Sequence, residues 1–190
     1  MNKKIAEAAR IITIPAFTSF LSLVLFWFLG RDIYLNGIDF VMAIISLTVI
    51  PLFSYPCSFL IPAIRKKGRS GQRRLAMYFS AAGYLTGFLY AVIAPTEPRY
   101  RIIMCSYLLS IVFLLLVNHF LGFHASGHAC STVGPALCIM IYCGGMWGLI
   151  SLALVGMVAW SSLTLGRHKL SELTVGGAIS TFSILLLMMI

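Results

Sequence analysis

Charged residues are scarce in this sequence of 190 residues: they make up 10% of it, and only five are Asp or Glu. A soluble domain usually contains about 25% charged residues. Here 60% of the residues are hydrophobic and the mean hydropathy is +0.97, so the chain has too little polar surface to cover itself in water. The composition excludes an ordinary soluble enzyme and predicts a single integral-membrane domain over residues 1–190.

Patterns typical of metal sites and disulfides are also missing. The sequence contains no CxxC pair, and no Cys/His spacing in it fits zinc. Asp and Glu are too rare for a carboxylate site, so we expect neither a metal nor a cofactor. The cysteines lie within or beside apolar runs, and we interpret them as small core residues. They are Cys57, Cys105, Cys130, Cys138 and Cys143.

Long polar segments are absent too, and seven apolar runs account for most of the chain. A membrane-spanning helix needs about 20 apolar residues. The runs lie at 11–29, 40–64, 75–94, 102–121, 126–143, 146–165 and 170–190. Prolines interrupt the second run, and Gly144 and Gly145 join the fifth and sixth in a tight hairpin. We predict an all-α, polytopic transmembrane bundle with six to seven membrane helices.

The charge that is present is mostly positive, with a net charge of +9. Six of the 14 Lys and Arg residues lie at 65–74, which we call the basic segment. In a soluble protein this charge would suggest nucleic acid. In a membrane protein, a phosphate group or an anionic lipid headgroup is the simpler partner. We therefore expect lipid partners and no nucleic acid.

Three polar segments alternate with the apolar runs. The basic segment follows the second run. Residues 123–130, the serine–histidine segment, follow the fourth run, and residues 166–172, the histidine–glutamate segment, follow the sixth. If each run crosses the membrane once, all three segments lie on the same membrane face. We therefore predict that they form one site there.

The basic segment offers two pairs of cations with the same spacing. Lys66 and Arg73, or alternatively Lys67 and Arg74, are seven residues apart, which is two turns of a helix. On a continuous helix either pair would share a face and could hold one phosphate group from two sides. The alternative interpretation is a positive-inside topology signal.

The serine–histidine segment has the pattern of a helix start. Ser126 is a favoured N-cap residue, and an apolar run follows it. The N-terminus of a helix attracts anions, and Gly127 allows the backbone to approach a ligand closely. His128 would then lie beside a bound phosphate and could protonate a leaving oxygen. His124 is a weaker candidate, which we interpret as structural.

The histidine–glutamate segment contains His168 and Glu172, four residues apart. On a helix the two side chains would stack, so the carboxylate could hold one imidazole nitrogen and leave the other free as a nucleophile. The alternative is an ordinary interfacial helix cap. Two histidines, one carboxylate and several cations on one face are the parts of a metal-free phosphoryl transfer through phosphohistidine.

These motifs resemble the type-2 phosphatidic acid phosphatase family, which also includes vanadium haloperoxidases. The family's first motif is Lys-x6-Arg-Pro, and both cation pairs match it without the proline. The second motif, Pro-Ser-Gly-His, is matched at three of four positions by Ala125–His128. The third, Ser-Arg-x5-His-x3-Asp, is similar to Ser161-Ser162-x5-His168-x3-Glu172. The resemblance covers residues 66–180.

The resemblance implies a role for each matched residue. His168 would be the nucleophile, Glu172 would orient it, and His128 would protonate the leaving group. Phosphate would be bound by Lys66, Arg73, Ser126 and Gly127 (with Lys67 and Arg74 as alternates). Ser162 occupies the position of the motif's phosphate-binding arginine. Arg167 is the candidate replacement, although on a helix it would point away from its neighbour His168.

The expected function is that of a multi-pass cell-membrane phosphatase. Its substrate would be a phospholipid or prenyl phosphate such as phosphatidic acid, phosphatidylglycerophosphate or polyprenyl diphosphate. The alternative, suggested by Ser162, is a weakly active or non-catalytic relative that binds or moves an anionic lipid. A transporter is disfavoured because the runs contain no charge near their middles. Positive charges favour a cytoplasmic site, whereas the family's sites more often face outward, so the side stays open.

Overall fold

A computed structural model describes residues 3–189, and its regular structure in this range consists of helices. We number them in chain order. They are α1 (Lys3–Ile12), α2 (Pro15–Leu29), α3 (Gly37–Leu60), α4 (Pro62–Lys66), α5 (Gly68–Ile93), α6 (Pro98–Phe120), α7 (Gly127–Tyr142), α8 (Gly145–Thr164) and α9 (Leu170–Met188). The prediction of an all-α fold is confirmed.

Five helices in the described range are long and apolar enough to cross a membrane: α3, α5, α6, α8 and α9. Helices α1 and α2 would make a sixth span if they count as one, although they are bent by 52°. The fifth predicted run forms α7, whose 16 residues extend only about 24 Å at 1.5 Å per residue. The candidate spans are therefore five or six, and α7 is shorter than the prediction required.

Most of the first run forms α2, and a break at Thr13 and Ile14 separates it from α1. Pro15 is the first residue of α2, a position where the missing N–H costs nothing. The hydroxyl of Thr13 donates a hydrogen bond to the carbonyl of Ala9 (2.9 Å), which completes the end of α1. The break allows α1 to take its own direction and to pack on α8.

The second run is interrupted near its prolines, as predicted. Helix α3 contains a π-helical stretch, Ile45–Val49, that ends two residues before Pro51. Proline cannot donate to the preceding turn, and wider turns of this kind commonly accommodate the change. The helix ends at Leu60, and Pro62 begins the short α4 after an extended Ile61.

Helix α7 lies at the centre of the packing and contacts α2, α6, α8 and α9. Small residues allow these contacts to be close. A Cβ on Gly134 would meet the side chain of Ser180 of α9, and one on Gly148 of α8 would overlap Met140. Close approach at small residues is the usual way in which helices associate in lipid. The predicted tight hairpin between α7 and α8 is confirmed, with Gly144 at a φ of 100°.

Candidate functional site

A cavity of about 150 Å³ lies between α1, α5, α6, α7 and α9. Its polar lining includes two arginines and two histidines from four separate parts of the chain: Arg10, Arg73, His128 and His168. Arg73 is near the start of α5, His128 is near the start of α7, and His168 precedes α9. The structure thus brings together one residue from each of the three predicted polar segments.

The rest of the cavity follows the helices away from these charged groups. On α5 the lining extends from Arg73 to Tyr84, and on α6 from Asn118 back to Ser106. At 1.5 Å per residue each stretch is about 16–18 Å long. Much of this wall is apolar or aromatic, including Tyr107 and Ile111. The cavity therefore has a cationic part and a long apolar part.

His168 is held by Glu172. Its Nδ1 lies 2.7 Å from Oε2 of the carboxylate, and the two side chains are only 6% and 19% exposed. The same oxygen accepts the backbone N–H of Lys169 (3.3 Å). With Nδ1 occupied, Nε2 is the ring nitrogen left for chemistry. The predicted pairing is present, but it forms in a loop–helix junction, because His168 precedes α9 instead of stacking on it.

The end of α8 explains where His168 lies. Gly166 has a φ of 60° and donates its N–H to Leu163 O (3.0 Å), while Arg167 donates its N–H to Ser162 O (2.9 Å). This pair of bonds is a Schellman motif, which ends a helix at a left-handed glycine and reverses the chain. Arg167 is half-buried and does not line the cavity. The structure thus gives its backbone a role in the turn, while the positive charge of its side chain is close enough to contribute to the lowered pKa of His128.

Ser126 begins α7, as predicted. Its Oγ accepts the N–H of Ala129 (3.3 Å), and its own N–H donates to the backbone carbonyl of Glu172 (2.9 Å). Gly127 and His128, the first two residues of the helix, line the cavity, whereas Ser126 is buried behind them. The N-terminus of α7, with its partial positive charge, therefore faces the same space as His168.

The basic segment does not form one continuous helix, which was the condition for either cation pair to share a face. Lys66 ends α4, and Gly68, with a φ of 57°, begins α5. Lys66 and Arg73 therefore do not share a helix face, and only Arg73 reaches the cavity lining. Lys67 and Arg74, the alternates, are both exposed and outside that lining.

Two cavity residues were missed by the sequence analysis. Asn118 makes two hydrogen bonds with the backbone of Ala125: its Oδ1 accepts the N–H (2.7 Å) and its Nδ2 donates to the carbonyl (3.3 Å). An amide within an apolar run, near a candidate site, was the available signal. The second residue, Arg10, donates from Nη1 to Ser162 Oγ (3.0 Å). His124, interpreted as structural, is exposed and outside the cavity lining.

The surroundings of His168 favour its neutral form. Burial lowers the pKa of this imidazole below its usual 6.5, and the positive charges of Arg73 and Arg10 lower it further. The hydrogen bond and negative charge of Glu172 raise the pKa and partly offset these effects. A lowered pKa leaves His168 neutral at pH 7, which is the form with a free lone pair.

The cavity carries more positive than negative charge. Within residues 3–189, ion pairs join Arg99 to Asp32 and His168 to Glu172, so neither Arg10 nor Arg73 has a carboxylate partner in that range. There is also no group of three His, Cys, Asp or Glu side chains in the described range that could hold a metal ion. The arrangement is suited to an anion.

Comparisons of the chain with protein-family models, with characterised proteins and with solved structures find no match.

Proposed function

We propose that this chain is a membrane phosphatase that hydrolyses a lipid phosphate or diphosphate through a phosphohistidine intermediate. The observation that supports it best is the cavity on which His128, His168 and Arg73 meet, with Glu172 hydrogen-bonded behind His168. These side chains come from sequence motifs that resemble the type-2 phosphatidic acid phosphatase family. The proposal therefore rests on the chemistry of these side chains and on their positions around one cavity.

The first step is attack on phosphorus by Nε2 of neutral His168. The bond between phosphorus and the lipid oxygen breaks, and protonated His128 donates a proton to that oxygen as it leaves. Burial and the positive charge of Arg10 lower the pKa of His128 to about 3 in the ligand-free protein, so its proton must be supplied with the substrate, whose negative phosphate favours the protonated ring. Glu172 stabilises the positive charge that develops on the His168 ring, because its carboxylate already contacts Nδ1. The products of this step are the dephosphorylated lipid and phosphohistidine.

The second step returns the protein to its starting state. Water attacks the phosphorus of phosphohistidine, and His128, now neutral, accepts a proton from that water. The P–N bond breaks, inorganic phosphate leaves, and His168 is neutral again. Throughout both steps Arg73 and the N-terminal turn of α7 would balance the negative charge of the phosphoryl oxygens.

The shape of the cavity supports a lipid as the substrate. The long apolar wall beyond the charged groups suits an acyl or prenyl chain, which would keep its phosphate at the cationic part. The substrates to compare are phosphatidic acid, phosphatidylglycerophosphate and polyprenyl diphosphate. They share the phosphate and differ in their headgroup and tail.

The test is phosphate release by the full chain purified in detergent, with each of these three lipids. We expect release from at least one of them, and loss of that release in His168→Ala. His119→Ala is the matched control, because His119 is exposed at the end of α6 and lies outside the cavity lining. Full activity in His168→Ala would disprove the mechanism.

A non-catalytic role is the second candidate, and Ser162 is the observation that favours it. This serine occupies the position where the resembled motif has a phosphate-binding arginine. Binding of the same lipids to the wild-type chain without any phosphate release would support this alternative over the phosphatase.

A further inference from the structure

Arg10 lies far from the other site residues in sequence but reaches the same cavity. It lines the cavity together with Arg73, His128 and His168. Its Nη1 donates a hydrogen bond to Oγ of Ser162, a residue that is fully buried at the end of α8. A guanidinium has five N–H donors, so this one bond leaves others for a ligand.

Packing of α1 on α8 holds Arg10 in place. Ala6 is fully buried and Ala9 is nearly so, and the two lie on one face of α1. Arg10 is in the last turn of α1, where the helix dipole favours a cation. The break at Thr13 follows immediately, so the direction of α1 is independent of the span that comes after it.

The charges around Arg10 call for an anion. Arg10 is partly buried and shares the cavity with a second arginine, the exposed Arg73, and neither of them has a carboxylate partner within residues 3–189. The carboxylate of Glu172 already accepts a hydrogen bond from His168. Like charges around one partly buried cavity repel each other, and a bound phosphate would replace this repulsion with charge-assisted hydrogen bonds.

We propose that Arg10 is a phosphate-binding residue, supplied by α1 to the phosphoryl group of the substrate. It takes the place of the arginine that α8 lacks at Ser162, and Ser162 positions it by accepting a hydrogen bond. The ligand is a phosphate monoester or the terminal phosphate of a diphosphate. This inference rests on the proposed function for its role in turnover, but phosphate binding by Arg10 can be measured separately.

Four variants of the full chain test this role: Arg10→Ala, Arg10→Lys, Lys4→Ala and the double variant Arg10→Ala/Ser162→Arg. Lys4→Ala is the matched control, because it also removes one positive charge from α1 but is exposed and outside the cavity lining. The double variant returns a guanidinium to the site from α8. Ser162 lies beside the space that the Arg10 side chain would leave.

Two readouts are needed: phosphate release from the best lipid substrate, and affinity for inorganic phosphate by isothermal titration calorimetry. We expect Arg10→Ala to lower turnover by about 10²–10³-fold, as for loss of one transition-state donor. We expect it to weaken phosphate binding by about tenfold or more. Arg10→Lys should be intermediate, because it keeps the charge but loses the planar fork. Lys4→Ala should match wild type, and the double variant should regain part of both losses.

The two readouts separate failure of this inference from failure of the proposed function. Wild-type phosphate binding without turnover, together with weaker binding in Arg10→Ala, would support the role of Arg10 and overturn the phosphatase. An active wild type whose turnover and phosphate affinity are unchanged in Arg10→Ala would overturn the role of Arg10 alone. A loss of thermal stability in Arg10→Ala with unchanged phosphate affinity would also overturn it, because that result describes a purely structural residue.

Discussion

The backbone of Ser126 lies directly against Gly176, and no side chain could be added at Gly176 without moving one of the two. A Cβ there would overlap the Ser126 carbonyl oxygen and lie 3.1 Å from its carbonyl carbon. Four residues earlier, the carbonyl of Glu172 accepts the N–H of Ser126 (2.9 Å). The first turn of α7, with His128, and the first turns of α9, next to His168, are therefore fixed to each other by backbone contacts.

Gly176→Ala should consequently damage the site without changing any group that touches substrate. The added methyl must push α9 away from Ser126, at a cost of about 1–3 kcal/mol for overpacking. We expect a lower thermal midpoint and a loss of phosphate release of about tenfold or more. Gly156→Ala is the matched control, because a Cβ there meets nothing within 4 Å. Equal thermal midpoints and equal phosphate release in the two variants would show that the contact with Ser126 is unimportant.

The protonation of His168 gives a prediction about pH. Burial and the positive charges of Arg73 and Arg10 lower the pKa of His168. The ring should therefore stay neutral as the pH falls to 6.5, and it should become protonated only at a pH lower than 6.5. Activity that depends on neutral His168 should then be lost on the acidic side of its lowered pKa. Histidine ring signals measured by NMR in the ligand-free protein, assigned with His168→Ala, would report the pKa directly. Titration at or above 6.5 would contradict this account.

Glu172→Gln tests the orienting role of the carboxylate. Glutamine keeps an oxygen that can accept the N–H of Lys169, so the start of α9 should survive. The negative charge behind Nδ1 of His168 is lost, and turnover should fall by about 10²–10⁴-fold. Because Glu172 raises the pKa of His168, the same substitution should lower that pKa further.

The control for this substitution is Glu7→Gln, which removes a carboxylate from an exposed position on α1. It should leave both turnover and the His168 titration unchanged. A Glu172→Gln variant that keeps wild-type turnover would show that the negative charge 2.7 Å from Nδ1 of His168 is not needed for catalysis.

Those parts of the site that depend on neighbouring residues could be predicted from the sequence. Ser126 begins α7 because capping is a local property, and the four-residue spacing of His168 and Glu172 was enough to predict their contact. Their actual geometry was not predictable from spacing alone. It depends on the left-handed Gly166 that ends α8 and turns the chain before α9.

The parts that could not be predicted depend on breaks and on distant contacts. Gly68 adopts a left-handed conformation between α4 and α5, so Lys66 and Arg73 do not share a helix. Arg10 and Ser162 are 152 residues apart, and their contact depends on how α1 packs on α8. Hydrophobic periodicity describes which face of a helix is apolar, but it does not say which other helix covers that face.

Asn118 provides the last prediction, because it fixes the loop that leads into Ser126. Its amide makes hydrogen bonds with both backbone groups of Ala125, which is fully buried. Asn118→Ala would leave these buried groups without partners, at a cost of about 1–3 kcal/mol. We expect a lower thermal midpoint and lower phosphate release, with Asn118→Asp intermediate because it keeps the acceptor for the Ala125 N–H and loses the donor. Val112→Ala, at an exposed position of the same helix, is the control. A similar small effect in both alanine variants would show that the amide does not support the site.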